Sequence, residues 1–293
     1  MKGKTVVVTG GTSGIGLAAA LDLARRGARI VLVGRDPVRA ASALRQLRRI
    51  APDIDHALHL ADLSRLHEMK RVGAAIVAAE PRIDVLVNNA GAWFAKRTET
   101  EDGFEKTFAL DHLAYFVLTD ALLPALKAAA PSRIVSTSSE GHRFASLTWD
   151  DLQSRHGYKG FMAYCRAKLC NVLFTRALAR RLASTGVTAN CFHPGFVASR
   201  FGDEGAGLGR VAFGLAKSLF AISPEKGADT LVYLAASSEV EGRSGGYYAK
   251  RKLAEPSRAG RDDAAAERLW AVTAEMTGAG LDAPATAVAA ARP

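Results

Sequence analysis

The chain has 293 residues, of which 48% are apolar, and its 39 basic and 29 acidic residues give a formal net charge of +10. Length and apolar content are those of a globular protein and exclude a largely disordered chain. Three cysteines, Cys165, Cys170 and Cys191, are too few for a disulfide framework and lack metal-ligand spacing, so we expect no zinc site and a reducing, cytoplasmic setting. No segment approaches the ~18 uninterrupted apolar residues of a membrane span, and the first residues lack the apolar run of a signal peptide. Peripheral membrane attachment stays open.

Strand-like and helix-like segments alternate along the chain. The predicted strands are Thr5–Val8, Arg29–Val33, Ala57–Leu60, Val85–Val87, Ile134–Val135, Val187–Phe192 and Tyr247–Tyr248. The predicted helices are Ile15–Arg26, Pro37–Arg49, Ser64–Ala79, Phe104–Ala129, Tyr164–Ala183 and Pro224–Ala236. Because the strands are nearly all apolar and alternate with helices, they predict an α/β fold with a parallel sheet covered on both faces. We predict one domain over residues 1–277 and a frayed tail over residues 278–293.

A glycine-rich segment follows the first strand and opens the first helix, with the spacing G-x-x-x-G-x-G. Glycines there let the backbone turn tightly and approach a diphosphate, whose charge is met by free N–H groups at the helix start. A tight turn that merely needs positive φ is the alternative. The residues predicted to hold a dinucleotide here are Gly10, Thr12, Ser13, Gly14, Ile15 and Gly16.

The end of the second strand bears on which dinucleotide is bound. A carboxylate about 20 residues past the glycines would accept the ribose 2′-OH of NAD and repel a 2′-phosphate. Position 34 is glycine, and Arg35 can pair with a phosphate through its planar guanidinium. NADP(H) is therefore favoured, while Asp36 keeps NAD(H) open. A solvated Arg35–Asp36 pair is the third interpretation.

Two further strand ends carry candidate cofactor contacts. A carboxylate after the third strand is predicted to hold the adenine amino group, although a helix cap before Ser64 is the alternative. After the fourth strand, small residues would let the backbone approach a ligand while asparagine amides tie neighbouring strands; a simple Asn-rich turn is the alternative. The predicted contacts are Asp62, Leu63, Asn89, Ala90 and Gly91.

Tyr164 and Lys168 form the candidate reactive pair. At positions i and i+4 of a helix they share a face, so the ammonium can favour the phenolate. A tyrosine with a pKa lowered from about 10 can exchange a proton with a substrate hydroxyl. Most isolated Y-x-x-x-K pairs lie on surfaces, but this one follows Asn88–Asn89 and Ser138–Ser139 in the order of elements.

Taken together, these motifs resemble those of the short-chain dehydrogenase/reductase family, from Lys4 to about Gly278. The segments that carry the resemblance are Thr9–Gly16, Asn88–Gly91, Ser139, Tyr164–Lys168 and His193–Gly195. The spacing from Ser139 to Tyr164, 164 − 139 = 25, is longer than in most members. It resembles the branch that contains the retinol dehydrogenases and the WW-domain oxidoreductase, which commonly uses NADP.

The resemblance implies a single Rossmann-type domain, a doubly wound parallel sheet of about seven strands, and Ser139 as the catalytic serine. It departs from the family at the fourth catalytic position, where this chain has Asp111 in place of asparagine. The family residue is thought to act through its backbone carbonyl, a role that the substitution would preserve. A buried carboxylate near Lys168 would nevertheless pair with it.

By the same resemblance, Tyr164 exchanges the proton, Ser139 donates a hydrogen bond to the reacting oxygen, and Lys168 holds the nicotinamide ribose. The chain is expected to turn beside the carboxamide at Pro194 and Gly195, with Val197 close by. A roof over the substrate, formed by Phe144, Phe161, Phe196 and Ser199–Leu219, implies a hydrophobic alcohol or carbonyl, although core packing is the alternative for each aromatic. Homodimers or homotetramers are expected by analogy.

Two other functions stay open. A non-catalytic NADP-binding protein would keep the fold for regulation or assembly, and only Asp111 favours it. Binding of nucleic acid or an anionic membrane would follow from the charge, with basic clusters over Arg35–Arg49, at Arg180–Arg181 and over Lys250–Lys252. Because aromatics are not interleaved with these clusters, a solvated surface is the preferred account and we expect no nucleic-acid partner.

Overall fold

In the computed structural model, residues 1–195, 197 and 222–280 are described, and their strands form one sheet in the order β3-β2-β1-β4-β5-β6-β7-β8. Neighbouring strands are parallel except β7 and β8, which are antiparallel. The strands are β1 (Thr5–Thr9), β2 (Arg29–Gly34), β3 (Ala57–Leu60), β4 (Val85–Asn88), β5 (Ser132–Thr137), β6 (Val187–Phe192), β7 (Tyr247–Ala249) and β8 (Lys252–Ala254).

Helices cover both faces of this sheet. Along β1, Val6 and Val8 pack in one apolar cluster and Val7 in another, because successive strand side chains point to opposite faces. The first cluster includes residues of α1, α2 and α7, and the second includes residues of α3, α5, α6 and α8. These helices, with α4, are α1 (Gly14–Arg25), α2 (Pro37–Ile50), α3 (Leu66–Ala79), α4 (Lys106–Phe108), α5 (Ala114–Ala128), α6 (Gly160–Arg181), α7 (Pro224–Ala236) and α8 (Asp263–Thr277).

The predicted α/β fold is confirmed, but the strand count of about seven is one too low. β8 was missed because it is three residues long and begins just after Lys250 and Arg251, which both adopt positive φ in a tight turn. The antiparallel β8 pairs with β7 and forms the edge of the sheet. The single domain over residues 1–277 stays a prediction, and the predicted tail lies outside the described residues from position 281 onward.

Two helix starts also differ from the prediction. α3 begins at Leu66 rather than Ser64, because the Asp62 carboxylate accepts the N–H and hydroxyl of Ser64 and holds a separate turn. α6 begins at Gly160, four residues before the predicted Tyr164. Glycine is a poor helix former, so Gly160 does not suggest a helix start. Glycine is nevertheless needed there, because a Cβ at position 160 would overlap the carbonyl of Phe94.

The predicted helix Phe104–Ala129 is interrupted by a π-helical turn, Ala109–Leu113, between α4 and α5. The stretch Lys106–Ala128 is long and apolar enough to cross a bilayer, but 83% of its most apolar window is buried inside the protein. Core packing therefore accounts for its apolar character. The widened turn carries Asp111 at its centre, and π-turns of this kind often occur at functional sites.

The carboxyl ends of the parallel strands lie along one edge of the sheet. Thr9 pairs in register with Val33, Asn88 with Ser136, and Thr137 with Phe192. Ligands of open α/β sheets bind beyond this edge, and the predicted site residues follow these strand ends.

Candidate active site

The turn between β1 and α1 is shaped by glycines that no other residue could replace without strain. Gly10 and Gly14 have positive φ of 62° and 53°. A Cβ on Gly10 would lie 2.9 Å from the Cα of Ala90, and one on Gly16 would lie 2.5 Å from Asn89 Nδ2. Ser13 precedes α1 without a side-chain cap, and the first turn of α1 has no acidic residue. The turn therefore has the bare backbone and the favourable helix dipole that a diphosphate needs.

Asn89 ties the strand ends around this turn, as predicted. Its Nδ2 donates to the carbonyl of Thr9 at 3.1 Å, and its Oδ1 accepts from Thr137 Oγ1 at 3.3 Å. Thr9 Oγ1 in turn accepts from the N–H groups of Asn89 and Ala90 at 2.8 and 3.0 Å. These bonds join the carboxyl ends of β1, β4 and β5.

At the end of β2, the Asp36 carboxylate already has hydrogen-bond partners. Asp36 caps α2 by accepting the N–H groups of Val38 and Arg39, and it also accepts from Arg39 Nε at 2.8 Å. A side chain at Gly34 would meet Thr12, because a Cβ there would lie 2.6 Å from Thr12 Cγ2. Arg35 is exposed beside them.

Asp62 forms a turn before α3 and not the helix cap that was the alternative to adenine binding, because the N-cap residue of α3 is Arg65. Its Oδ1 accepts from the N–H and the hydroxyl of Ser64 at 3.0 and 2.8 Å. Burial tends to raise the pKa of Asp62, but these bonds and the positive charges of Arg35 and Lys106 lower it overall. Leu63 is buried in the core. Both residues follow β3 at the carboxyl edge, so the adenine contact stays a prediction.

Ser139 and Tyr164 are neighbours: a Cβ on Gly141 would lie 3.3 Å from Ser139 Oγ and 3.6 Å from Tyr164 Cε1. Tyr164 is 8% exposed, and the ammonium of Lys168 lies 5.4 Å from the centre of its ring. Ser138, the neighbour of Ser139, instead donates to the carbonyl of Lys168 at 2.8 Å and anchors α6. The order of the motifs thus brings serine, tyrosine and lysine together as predicted.

The predicted lowering of the Tyr164 pKa by Lys168 is wrong for this structure. Burial raises the pKa of Tyr164 well above 10, the hydrogen bond with Ser139 opposes this rise, and the nearby Asp111 carboxylate adds to it. Lys168 is instead paired with Asp111, with Nζ 2.9 Å from Oδ2 and both side chains almost fully buried. The Asp111 carboxylate therefore offsets the positive charge of Lys168, which weakens the effect of that charge on the pKa of Tyr164.

The Asp111–Lys168 pair is enclosed by backbone. Asp111 Oδ1 accepts from the N–H of Ala92 at 2.8 Å. A Cβ on Gly91 would lie 2.9 Å from Asp111 Oδ2 and 3.1 Å from Lys168 Nζ, so glycine at position 91 lets the pair form. Burial raises the pKa of Asp111 to about 6, although Lys168 and the Ala92 N–H both favour the carboxylate.

Asn171 is a site residue that the sequence reasoning missed. Its Nδ2 donates to the backbone carbonyl of Asp111 at 2.8 Å and to that of Thr137 at 3.2 Å. The carbonyl expected to act in the family's fourth position therefore already accepts a side-chain amide. The available signal was the position of Asn171 three residues after Lys168, on the same face of α6.

The loop after β6 lies over the start of α1. Gly195 has a positive φ of 86°, and its N–H donates to His193 Nδ1 at 3.1 Å. A Cβ on Gly227 would lie 2.7 Å from Val197 Cγ2 and 3.2 Å from Ile15 Cγ1. Val197 and Ile15 are thus close neighbours, as a shared role at the cofactor requires. Pro194 precedes the turn at Gly195.

Phe161 lies beside Tyr164, and Phe144 is a second exposed aromatic residue. The ring of Phe161 lies 6.5 Å from that of Tyr164, and Phe161 and Phe144 are 48% and 68% exposed. Exposed side chains of this size are available for an apolar ligand. Phe196 and the segment Ser199–Leu219, predicted to complete the roof, lie outside the described residues.

Comparison with known proteins decides the family. A sequence profile described as short chain dehydrogenase matches residues 4–205. The chain belongs to the short-chain dehydrogenase family. Proteins of this family are oxidoreductases that act on small molecules with a nicotinamide dinucleotide.

Within the family, this short-chain dehydrogenase is similar to retinol dehydrogenases. It is 42% identical to retinol dehydrogenase 14 of Mus musculus over 290 residues, covering 95% of this chain and 87% of the relative. It is 41% identical to retinol dehydrogenase 13 of Homo sapiens over 291 residues, covering 96% and 86%. The predicted resemblance to the retinol dehydrogenase branch is confirmed.

Solved structures agree with this assignment. A crystal structure of an uncharacterized protein from Mycobacterium paratuberculosis matches with a TM-score of 0.77 and 28% identity, covering 96% of this chain and 95% of that one. The active-site complex of Pseudomonas aeruginosa RhlG with NADP matches with a TM-score of 0.68 and 26% identity, covering 84% and 94%. The Rossmann-type arrangement of this dehydrogenase is therefore shared with a dinucleotide-bound neighbour.

Proposed function

We propose that the protein is an NADP-dependent oxidoreductase that transfers hydride between the cofactor and a hydrophobic alcohol or carbonyl, with Tyr164 as the acid-base group. The observation that carries the proposal is that Ser139 and Tyr164 lie side by side at Gly141, with Lys168 Nζ 5.4 Å from the centre of the tyrosine ring. We further propose that it acts in the cytoplasm on a small molecule, as a homodimer or homotetramer.

The proton chemistry follows from the side chains themselves. In the reductive direction Tyr164 donates its phenolic proton to the substrate oxygen while Ser139 Oγ donates a hydrogen bond to the same oxygen. A phenol whose pKa is raised by burial keeps its proton at neutral pH, which suits donation to a carbonyl. The bound nicotinamide supplies the hydride. The ion pair with Asp111 holds the Lys168 ammonium near the ring of Tyr164.

The residues that would hold the cofactor favour NADP(H) over NAD(H). The glycine turn leaves room for the diphosphate, Arg35 offers a cation for a 2′-phosphate, and Asp36 is engaged as a helix cap. The exposed Phe144 and Phe161 favour an apolar substrate. Similar proteins are named for retinol, a hydrophobic alcohol, which supports the same class.

NADPH oxidation by the purified protein with a panel of hydrophobic aldehydes and ketones, including retinal, tests the proposal. We expect turnover by the wild type and a loss of at least about 100-fold in Tyr164→Phe, because the general acid is removed. NADPH binding, measured by fluorescence titration, is expected to stay within about twofold, since the hydroxyl removed serves proton transfer rather than most of the cofactor contacts.

Tyr233→Phe is the matched control. It removes a phenol whose hydroxyl donates to Glu239 on the surface of α7, so turnover should stay at the wild-type level. A wild type that binds NADPH but reduces no member of the panel would instead favour the non-catalytic NADP-binding protein that Asp111 suggests.

A further inference from the structure

His142 is a fully buried imidazole three residues after Ser139 that the proposed mechanism does not use. Its Nδ1 lies 2.6 Å from the carbonyl oxygen of Ser139, and its Nε2 lies 3.0 Å from the N–H of Ser257. A backbone N–H can only donate, so Nε2 accepts and carries no proton. The neutral ring therefore has its proton on Nδ1 and donates it to the Ser139 carbonyl.

The segment that His142 holds is a single short turn. Ser139 precedes the 3₁₀ turn Glu140–Phe144, and its Oγ accepts the N–H of Gly141 at 3.1 Å. A turn of this length has few bonds of its own, so the direction of the Ser139 hydroxyl depends on outside contacts. The imidazole provides one such contact and links the turn to Ser257, more than a hundred residues away in the chain.

A second set of bonds fixes the other side of the same turn. Glu140 Oε2 lies 3.3 Å from both His193 Nε2 and the hydroxyl of Tyr247. His193 Nδ1 accepts the N–H of Gly195, so Nε2 carries the proton and donates to Glu140. The Ser139 turn is thus fastened both to the loop after β6 and, through His142, to the segment after β8.

We propose that His142 is a positioning residue: as a neutral, Nδ1-protonated imidazole it holds the Ser139 carbonyl and thereby aims the Ser139 hydroxyl at the reacting oxygen. This role rests on the proposed function, in which Ser139 donates to that oxygen. If Nε2 were protonated, the ring N–H and the Ser257 N–H would both be donors and could no longer bond to each other. The turn would then be released from Ser257.

Burial is the main reason that His142 stays neutral. Burial lowers the pKa of His142, and the positive charge of Arg143 acts in the same direction. The bond to the Ser139 carbonyl and the Glu140 carboxylate oppose this shift. The ring of Tyr247 packs against the imidazole with centroids 5.0 Å apart. The ring therefore stays neutral at pH values where an exposed histidine is partly charged.

Two substitutions test the roles of the two ring nitrogens of His142 separately. His142→Asn keeps a donor near the Nδ1 position and loses the acceptor for Ser257, whereas His142→Gln keeps an acceptor near Nε2 and loses the donor to Ser139. We expect kcat to fall about tenfold in His142→Gln and by less than about threefold in His142→Asn, because a displaced hydrogen-bond donor weakens transition-state stabilisation. NADPH affinity should be unchanged in both variants.

A control distinguishes positioning from simple loss of stability. His56→Asn alters another buried imidazole, whose Nδ1 accepts the N–H of Ile30 far from the turn. It should lower Tm without changing kcat. A kcat loss in His142→Gln that merely follows its loss of Tm, or equal kcat values in both His142 variants, would overturn the proposal.

Nuclear magnetic resonance of the histidine-labelled wild type tests the inference without any turnover. We expect the Nδ1–H tautomer for His142 and a shifted Gly141 amide resonance in His142→Gln but not in His142→Asn. An Nε2–H tautomer, or a Gly141 amide that moves in neither variant, would overturn it. If the wild type reduces none of the panel, the proposed function fails, while these two signals still decide whether His142 holds the turn.

Discussion

Asp111 is a buried carboxylate bonded to a buried lysine, at the position where the resemblance led us to expect asparagine. Removing a carboxylate from water is costly, and the ammonium of Lys168 at 2.9 Å offsets only part of that cost. The pKa of Asp111, about 6, results from burial, which raises it, and from Lys168, which lowers it. A raised pKa means that the folded state binds a proton more readily than the unfolded state.

This shift predicts a stability difference that depends on pH. Between the unfolded pKa of 3.8 and the folded value of about 6, the folded protein holds an extra proton at Asp111, so its stability falls as pH rises through this window and levels off above it. Asp111→Asn removes that titration. We expect urea unfolding between pH 4.5 and pH 7.5 to show the wild type losing stability relative to Asp111→Asn, at up to about 1.4 kcal/mol per pH unit.

Asp22→Asn provides the control for this series. It makes the same substitution in an exposed pair with Arg26, where the carboxylate keeps its water. Its stability should run parallel to that of the wild type over the same window. Parallel curves for Asp111→Asn as well would show that burial does not perturb Asp111.

At the scale of elements, α8 is docked on the π-turn through a chain of buried polar groups. Because Asn171 Nδ2 donates to two carbonyls, its Oδ1 accepts, and His112 Nδ1 donates to it at 3.4 Å. His112 Nε2 then accepts from Thr273 Oγ1 of α8 at 3.0 Å. Burial lowers the pKa of His112 to about 4, in keeping with this neutral ring. The position of Asp111 thus depends on a helix more than 130 residues later in the chain.

Asn171→Ala should therefore destabilise the protein strongly. It leaves the carbonyls of Asp111 and Thr137 buried without this donor, and we expect the free energy of unfolding in urea to fall by about 3 kcal/mol. Thr175→Val, one turn further along α6, is the control, because its hydroxyl donates back to the Asn171 carbonyl within the helix and not to the turn that carries Asp111. It should cost less than about 1 kcal/mol. Equal losses would argue against a special role for the amide.

The sequence predicted the elements with local signals and missed those that depend on distant contacts. Apolar β-branched runs and the glycine turn identified the strands, their parallel arrangement and the edge that carries the site. The partners of Asn171 and His142 could not be predicted, because Asp111 and Ser257 are 60 and 115 positions away. The pKa of Tyr164 was predicted in the wrong direction because helical spacing places Lys168 near the phenol but says nothing of burial.

At the scale of the whole molecule, part of the positive charge is engaged in internal ion pairs. Arg176 and Arg180 pair with Asp263 at 2.8 and 2.7 Å, and Arg181 pairs with Glu267 and lies over the ring of Trp270. These contacts tie α6 to α8. The basic cluster Arg180–Arg181 that suggested a polyanion partner is therefore largely structural, whereas Arg35 lies at the cofactor edge.

This distribution of charge predicts that Arg35 decides the cofactor preference. Arg35→Ala should weaken NADPH binding about tenfold or more, since a charge-assisted bond to the 2′-phosphate is lost, and should leave NADH binding unchanged. The measurement is a fluorescence titration of both cofactors at low and physiological salt. Arg49→Ala removes the same charge from the exposed last turn of α2 and should change neither affinity by more than about twofold, because exposed charges beyond a Debye length are screened.

If the positive charge of α2 instead served to bind nucleic acid or an anionic membrane, Arg35→Ala and Arg49→Ala would weaken binding of duplex DNA or anionic vesicles to the same extent. The two substitutions would then not differ in their effect on NADPH affinity. A wild-type preference for NADH would contradict the assignment of Arg35.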